Sequence, residues 1–281
     1  MVIIQSQELI VKISEQGAEL QSVLHHGKER LWQNESGEWN GKAPLLFPVC
    51  GHCGLTVDGK QYPLPAHGFA KKSLFTLLES GEDYAIFLLS ASDETRKVYP
   101  FEFDFVVTYR VQGSTMTVVY DVKNKGAEPL YFACGSHESF VLEKELGAHK
   151  LVFEKDEKLI HLYHDEGGYL TGKVEDLGEG KELILPEQII SYGETLILEK
   201  LNSRKVALSQ TDGKAVTEIT FEGFSNLLLW RPGKAKMICI EPWLNLPDLA
   251  NAEDVEFSSK SGVEKVKAKE TKTLVRTITY Q

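Results

Sequence analysis

Along much of this chain apolar and polar residues alternate with a period of two, the spacing that turns successive side chains to opposite faces of a β-strand. The clearest cases are Phe101, Phe103, Phe105, Val107 and Tyr109 in FEFDFVVTYRVQ, and Met116, Val118, Tyr120 and Val122 in STMTVVYDVKNK. Near the start, ELIVKIS alternates in the same way, and a turn at Gln16-Gly17 separates it from a second short strand in AELQSVLHH. His25-His26-Gly27-Lys28 then reads as a hairpin tip, and Asp58-Gly59 as a tight turn between short extended pieces. Further strands are predicted in SLFTLLES, YAIFLLSAS, PLYFACGSHESFVL, KVALSQ, AVTEITFEG, NLLLWRP, MICIEPW and ETKTLVRTITY, and KELILPEQIISYGETLILEKL reads as more short strands. Segment Trp32–Lys42 holds two tryptophans, two glycines and two asparagines without any period, which predicts a loop lining a cleft. Glu143–Gly180 is polar and glycine-containing and carries no strand pattern, and Ala250–Lys260 reads as an acidic loop with a helical turn. The expected class is all-β and antiparallel, with helices in a minority.

A length of 281 residues is large for one sheet-based domain but within its range, and no Gly/Ser linker, low-complexity tract or fixed-period repeat divides it. One domain over residues 1–281 is therefore expected. The balance of 31 basic against 41 acidic residues, net −10, opposes nucleic acid and anionic membrane as partners and leaves a small molecule as the expected ligand. No apolar run reaches the roughly 18–20 residues that span a bilayer, and MVIIQSQELIVKIS lacks a basic segment followed by a long apolar core. A cytoplasmic location is the expectation, with Cys50, Cys53, Cys134 and Cys239 as reduced thiols.

The stretch Met237–Asp248, MICIEPWLNLPD, carries the most suggestive chemistry. A short apolar run delivers Glu241, and Pro242 biases that residue to an extended conformation, so the strand continues through the acid. Burying a carboxylate costs several kcal/mol, roughly, unless partners offset it, so an acid placed there is a candidate for function. His67 in PAHGFA and His137 in CGSHESF also sit among apolar or glycine neighbours, and a histidine with a desolvated Glu is a common acid–base pair at neutral pH. Each signal alone is weak, because a lone histidine in a β protein is more often a hydrogen-bonded core or surface residue. Cys50-Gly51-His52-Cys53 has the spacing of a dithiol redox motif, but neither flank looks like a helix start, and a zinc half-site would need a second pair of ligands. Lys71-Lys72 reads as a solvated pair or, beside His67, as a point-charge site for phosphate.

Taken together and in order, the pieces PLLFPVCG, DGKQYPLPAHGFAKKSLF, VYPFEFDFVVTYRV, VVYDVKNKG, CGSHESF, SYGETLILEKLNSRKVAL and FEGFSNLLLWRP…CIEPW resemble the aldose 1-epimerases, or galactose mutarotases, and in particular their LacX-like branch. The resemblance covers nearly the whole chain. It implies a large antiparallel β-supersandwich of the galactose mutarotase-like kind with few short helices, and interconversion of the α and β anomers of a free hexose; whether the sugar is phosphorylated stays open. By motif, Glu241 matches the base that takes the C1 hydroxyl proton, His137 the acid that protonates the ring oxygen, and His67 a sugar-binding histidine. His52 and Lys71 stand where the family pattern has arginine, and Glu194 where it often has aspartate, so all three are carried as substrate-binding candidates with Trp243. Glu138 and Ser139 replace a proline and a small residue.

Opening a hemiacetal needs a proton to leave one oxygen while another reaches the ring oxygen, which one base and one acid on opposite sides can do with no metal and no cofactor. Trp243 or Trp32 could serve as a platform for an apolar ring face, with core packing as the ordinary alternative. The alternative to an enzyme is a carbohydrate- or sugar-phosphate-binding protein of the same fold with weak or no turnover. A glycosidase is a third reading, but the motifs supply one carboxylate where two are needed. The sequence leaves open which sugar is bound and whether the protein is a monomer or a homodimer.

Overall fold

A computed structural model describes residues 1–190 and 194–281 of the chain. Its dominant feature is one sheet of fifteen strands, in which every strand pair is antiparallel. Its order runs Leu45–Leu46, Gly135–Ser136, Met237–Trp243, Asn226–Trp230, Leu196–Leu198, His149–His164, Lys205–Gln210, Ala215–Glu222, Thr271–Tyr280, Thr115–Asn124, Phe103–Gln112, Tyr84–Ser90, Thr76–Ser80. Glu138–Val141 joins beside Met237–Trp243, and Leu170–Ile184 beside His149–His164. A four-stranded sheet made by the first 29 residues packs its buried positions, Ile4, Val11, Ile13 and Leu20 among them, into the same core.

The alternation read from the sequence is the alternation of burial. Phe103, Phe105, Val107 and Tyr109 are buried while their neighbours are partly exposed, and Met116, Val118, Tyr120 and Val122 mirror them across the register that pairs Phe105 with Val122. Phe47 stacks on Phe105 at 4.4 Å between ring centroids and meets Phe69, Tyr99, Phe103 and Phe132 within 6.1 Å. Each such fully buried aromatic contributes about 1.5–3 kcal/mol, and the cluster ties the segment after the first sheet to the floor of the large one. The predicted turn at Asp58-Gly59 is present, with φ of +51° and +73°, values that suit Asp and Gly.

Two expectations fail. Glu143–Gly180 is not strand-free: His149–His164 and Leu170–Ile184 form the longest hairpin of the molecule. The second arm is exposed at nearly every position, so backbone pairing holds it and no burial alternation marks it. Within KELILPEQIISYGETLILEKL, residues Glu187–Ile190 form a short helix after Pro186, whose fixed φ suits a helix start. Leu196–Leu198 is a strand, and residues 191–193 lie outside the described residues. The only other α-helix among the described residues is Asp93–Val98, capped by the reciprocal Ser92 and Thr95 bonds. Among the described residues no helix is long and apolar enough to cross a membrane.

Candidate active site

Met237–Trp243 lies near one end of the large sheet and is buried at all seven positions, as expected of a strand with neighbours on both sides. Its register pairs Gly135 with Trp243 and Glu138 with Ile240, which brings His137 and Glu241 abreast on adjoining strands. Their side chains meet on one face of the sheet, His137 Nε2 lying 3.3 Å from Glu241 Oε2. On the other flank Glu241 is opposite Leu228, and Leu228 is opposite Ile197. Leu228 and Ile197, with Leu46, Cys50 and Trp243, form a small apolar cluster separate from the main core. It is the floor of a cavity of about 570 Å³.

Loops supply the walls. Gly68 has φ +67°, and a Cβ there would stand 2.1 Å from the carbonyl oxygen of Phe47, so only glycine lets the HGFA turn close against that strand end. The closed turn aims His67. Its Nδ1 accepts a hydrogen bond from the Gly51 N–H at 3.0 Å, which leaves Nε2 as the protonated nitrogen, a donor toward the cavity. His67 stands edge-on to Trp243 at 5.2 Å and to His137 at 6.0 Å. The loop bearing Gly51 and His52 is held from behind by Asn245, which accepts from the Cys50 N–H at 2.8 Å and donates to the Cys50 carbonyl at 3.1 Å. Opposite, Trp32 donates its indole N–H to the Trp39 carbonyl at 3.1 Å, and Glu19 accepts from the backbone N–H groups of Lys42 and Ala43. The loop so held presents Trp39, which with Trp230 forms an aromatic wall over His137 at 5.2 and 5.6 Å.

Burial governs the electrostatics. Glu241 is 1 % exposed, and desolvation pushes its carboxyl well above the usual range, against the pull of the Trp243 indole N–H and with a further push from Glu138. Desolvation lowers the His137 imidazole to about 3, with the residue's own backbone pulling back and the Lys71 charge adding to the fall. Both effects favour uncharged forms, so the pair holds a single proton whichever member carries it. His67 is likewise lowered well below its ordinary value, by burial first and then by His137, Lys71 and His52. A neutral imidazole that donates from Nε2 suits a sugar oxygen.

The structure therefore brings Glu241, His137, His67, His52, Lys71 and Trp243 to one cavity. Glu194 does not line it. Its carboxylate sits behind His164, 3.3 Å from Nε2, and His164 is the residue at the wall. Because His164 Nδ1 contacts the Asp165 carbonyl and Nε2 accepts from the Thr195 N–H, the ring gives the cavity a surface and no free donor. Trp32 is core, not platform: it is 2 % exposed and packs with Ala235, Met237 and Cys239. Trp39, Trp230, His164 and Glu19 complete the wall, and sequence reasoning did not single them out. Only Trp39 had a signal, inside the loop expected to line a cleft.

His137, Cys239 and Glu241 place donor atoms within 4.8 Å of one another, near enough to meet one cation. Burial and the adjacent Glu241 hold the Cys239 thiol well above its ordinary pKa, and we assign no metal there. The cysteines at 50 and 53 are free and buried, with Cys53 pushed up to about 12, which fits packing and not dithiol chemistry.

The many-stranded antiparallel sheet is that of the galactose mutarotase-like fold. A galactose mutarotase-like protein from Lactobacillus casei superposes over all of both chains with a TM-score of 0.91 at 27% identity. A galactose 1-epimerase from Lactobacillus acidophilus superposes over 99% of this chain and 93% of its own with a TM-score of 0.72, and at 14% identity it supports the fold alone. The aldose 1-epimerase family model matches residues 1–250. The LacX protein of Lactococcus lactis subsp. lactis is 30% identical over 264 residues, covering 86% of this chain and 87% of its own. The chain belongs to the aldose 1-epimerase family.

Proposed function

We propose that the protein is an aldose 1-epimerase that interconverts the α and β anomers of a hexose, with Glu241 and His137 as its proton-transfer pair. The observation that carries this reading is their placement abreast at 3.3 Å at the floor of the cavity. The two oxygens that exchange protons in ring opening, the C1 hydroxyl and the ring oxygen, are bonded to the same carbon. A side-by-side pair can therefore address both at once, where the sequence alone suggested groups on opposite sides. In the reactive form Glu241 is a carboxylate and His137 an imidazolium. Glu241 takes the proton from the C1 hydroxyl, the C1–ring oxygen bond breaks as C1 becomes an aldehyde, and His137 gives its proton to the ring oxygen. The pair ends as carboxylic acid and neutral imidazole, the form that burial favours. After rotation about the C1–C2 bond, the same transfers run backward on the other face and restore the starting charges. One proton stays with the pair throughout, and no external acid or base is consumed.

His67 Nε2–H is the hydroxyl donor in this reading, and Trp39, Trp230 and Trp243 provide apolar surface for the ring. The same reading takes in sugar phosphates. Lys71 is partly buried at the cavity wall and, among the described residues, has neither a carboxylate nor a hydrogen-bond partner, and Lys72 lines the cavity beside it. Two ammonium groups placed so favour a ligand with an anionic group. Polarimetry on fresh α-glucose, α-galactose and glucose 6-phosphate tests the assignment. Glu241→Gln and His137→Asn are each expected to lower kcat by about 10²–10⁴-fold with a far smaller effect on KM. Sugar binding without faster equilibration than buffer alone would make the protein a carbohydrate-binding member of the family.

A further inference from the structure

The residue after His137 points the other way. Strand alternation and the pairing with Ile240 turn Glu138 into the main core, where it is 2 % exposed. It meets Arg276, which is 0 % exposed and lies on Thr271–Tyr280, six places from Met237–Trp243 along the sheet path. Arg276 donates from Nη2 to Glu138 Oε1 and from Nε to the Tyr120 hydroxyl at 2.9 Å. Arg276 Nη1 and Glu138 Oε2 have no hydrogen-bond partner. A buried ion pair with unsatisfied atoms on both sides is a poor source of stability, and an apolar replacement often does as well or better. Its location suggests another role: it joins the residue next to His137, and one strand pairing away from Glu241, to the C-terminal strand across the core.

We propose that Glu138 and Arg276 are positioning residues for the His137–Glu241 pair, with the salt bridge fixing the strand that presents His137 and the Glu138 carboxylate supplying negative charge behind Glu241. The inference rests on the acid–base reading above. Across the core Glu138 is paired with Arg276, and its charge also reaches the hydroxyls of Tyr120, Tyr109 and Tyr280 and, through the sheet, the Cys239 thiol. Burial raises all three phenols, and among the described residues Arg276 is the cation that pairs with Glu138, while the charges of Glu29 and Arg30 act on Tyr280 and that of Glu19 on Tyr109. Glu241 is faced by His137, Cys239, Cys50 and the Trp243 indole on its own side of the sheet and by Glu138 from behind. Negative charge behind Glu241 favours retention of the pair's proton, in line with the direction in which Glu138 moves that carboxyl.

The test is the pH dependence of kcat in Glu138→Gln, whose amide oxygen still accepts from Arg276, alongside Glu138→Asp, which keeps the charge. Glu138→Gln is expected to lose between about tenfold and a hundredfold in kcat at little change in KM, as small misplacements of reacting groups do. Its alkaline limb, where the pair loses its proton, should move to lower pH, and Glu138→Asp should restore the limb. A folded Glu138→Gln with wild-type kcat and an unmoved limb overturns the proposal. Should Glu138→Gln fail to fold, the double variant Glu138→Met/Arg276→Met replaces both charges with apolar volume. It should fold and turn over slowly, and wild-type kinetics in it overturn the proposal equally. A wild-type protein without turnover overturns the acid–base reading itself, which separates the two failures.

Discussion

Replacing Glu241 with glutamine should change how the stability of the protein depends on pH, and the size of the change follows from the burial of the pair. The folded pKa of Glu241 lies well above its ordinary 4.5, so above that pH the folded protein keeps a proton that the unfolded chain releases. The stability this group contributes is whole below 4.5 and declines as pH rises toward the folded value. His137 works in the opposite sense. Its folded value of about 3 lies below its ordinary 6.5, so its contribution is whole above 6.5 and is lost as pH falls toward 3. Between 4.5 and 6.5 the slopes cancel, because one proton is held in either state. Above 6.5 only the Glu241 slope remains, about 1.4 kcal/mol per pH unit for a single retained proton. For each pH unit above 6.5 in which the folded carboxyl keeps its proton, the wild type should thus lose about 1.4 kcal/mol relative to Glu241→Gln, a sizeable part of the roughly 5–15 kcal/mol that stabilises a typical domain. The loss stops where the pH reaches the folded pKa. Other buried groups cancel in the difference. Urea titrations followed by tryptophan fluorescence at half-unit pH steps measure it. A stability difference that stays flat from pH 6.5 to 7.5 would refute the reasoning, since it would mean that the folded pair holds no proton at neutral pH.

Three further outcomes follow from other parts of the structure. Lys71→Met should weaken binding of glucose 6-phosphate several-fold or more while leaving glucose nearly unaffected, and equal losses on both, measured by calorimetry, would remove the phosphate reading. Gly68→Ala forces a Cβ to within 2.1 Å of the Phe47 oxygen at a φ of +67°, and strain of about 1–3 kcal/mol from the backbone alone, with the clash added, should lower the melting temperature by many degrees. The buried Cys50, Cys53, Cys134 and Cys239 should resist a thiol reagent in the native state and react fully in denaturant, and fast native labelling of the Cys50 and Cys53 pair would revive its redox reading.

Much of this molecule is written in the period-two pattern. Where a strand buries one face, as Phe103–Gln112 and Thr115–Asn124 do, hydrophobic alternation marks it. The arm Leu170–Ile184 has almost no buried face and is invisible by the same criterion, though it pairs with His149–His164 along most of its length. The proposed acid–base pair was legible as a candidate because Glu241 stands in an apolar run and His137 and His67 in short glycine-bearing motifs. Its geometry was not, because the alignment of residue 137 with residue 241 is a matter of sheet register over a separation of about a hundred residues. The same distinction explains Glu194 and His164: a motif named the acid, and only the hairpin end reveals that a histidine stands between it and the cavity. Trp32 and Trp39 share one loop and one residue type, yet Trp32 is packed in the core with its indole bonded to the Trp39 carbonyl while Trp39 lines the cavity, a difference that tertiary packing sets and residue type does not.

The cavity draws its wall from Glu19 to Pro247, and its floor forms only when Leu45–Leu46, Gly135–Ser136 and Met237–Trp243 lie side by side. No local hairpin contains these pairings. Chains whose defining contacts join distant segments fold slowly, because the loops must close before the contacts reward them. Hairpins such as Phe103–Gln112 with Thr115–Asn124 can form early on their own. Turnover, by contrast, can return on refolding only with the last long-range pairings, so the proposed activity would also time the completion of the fold.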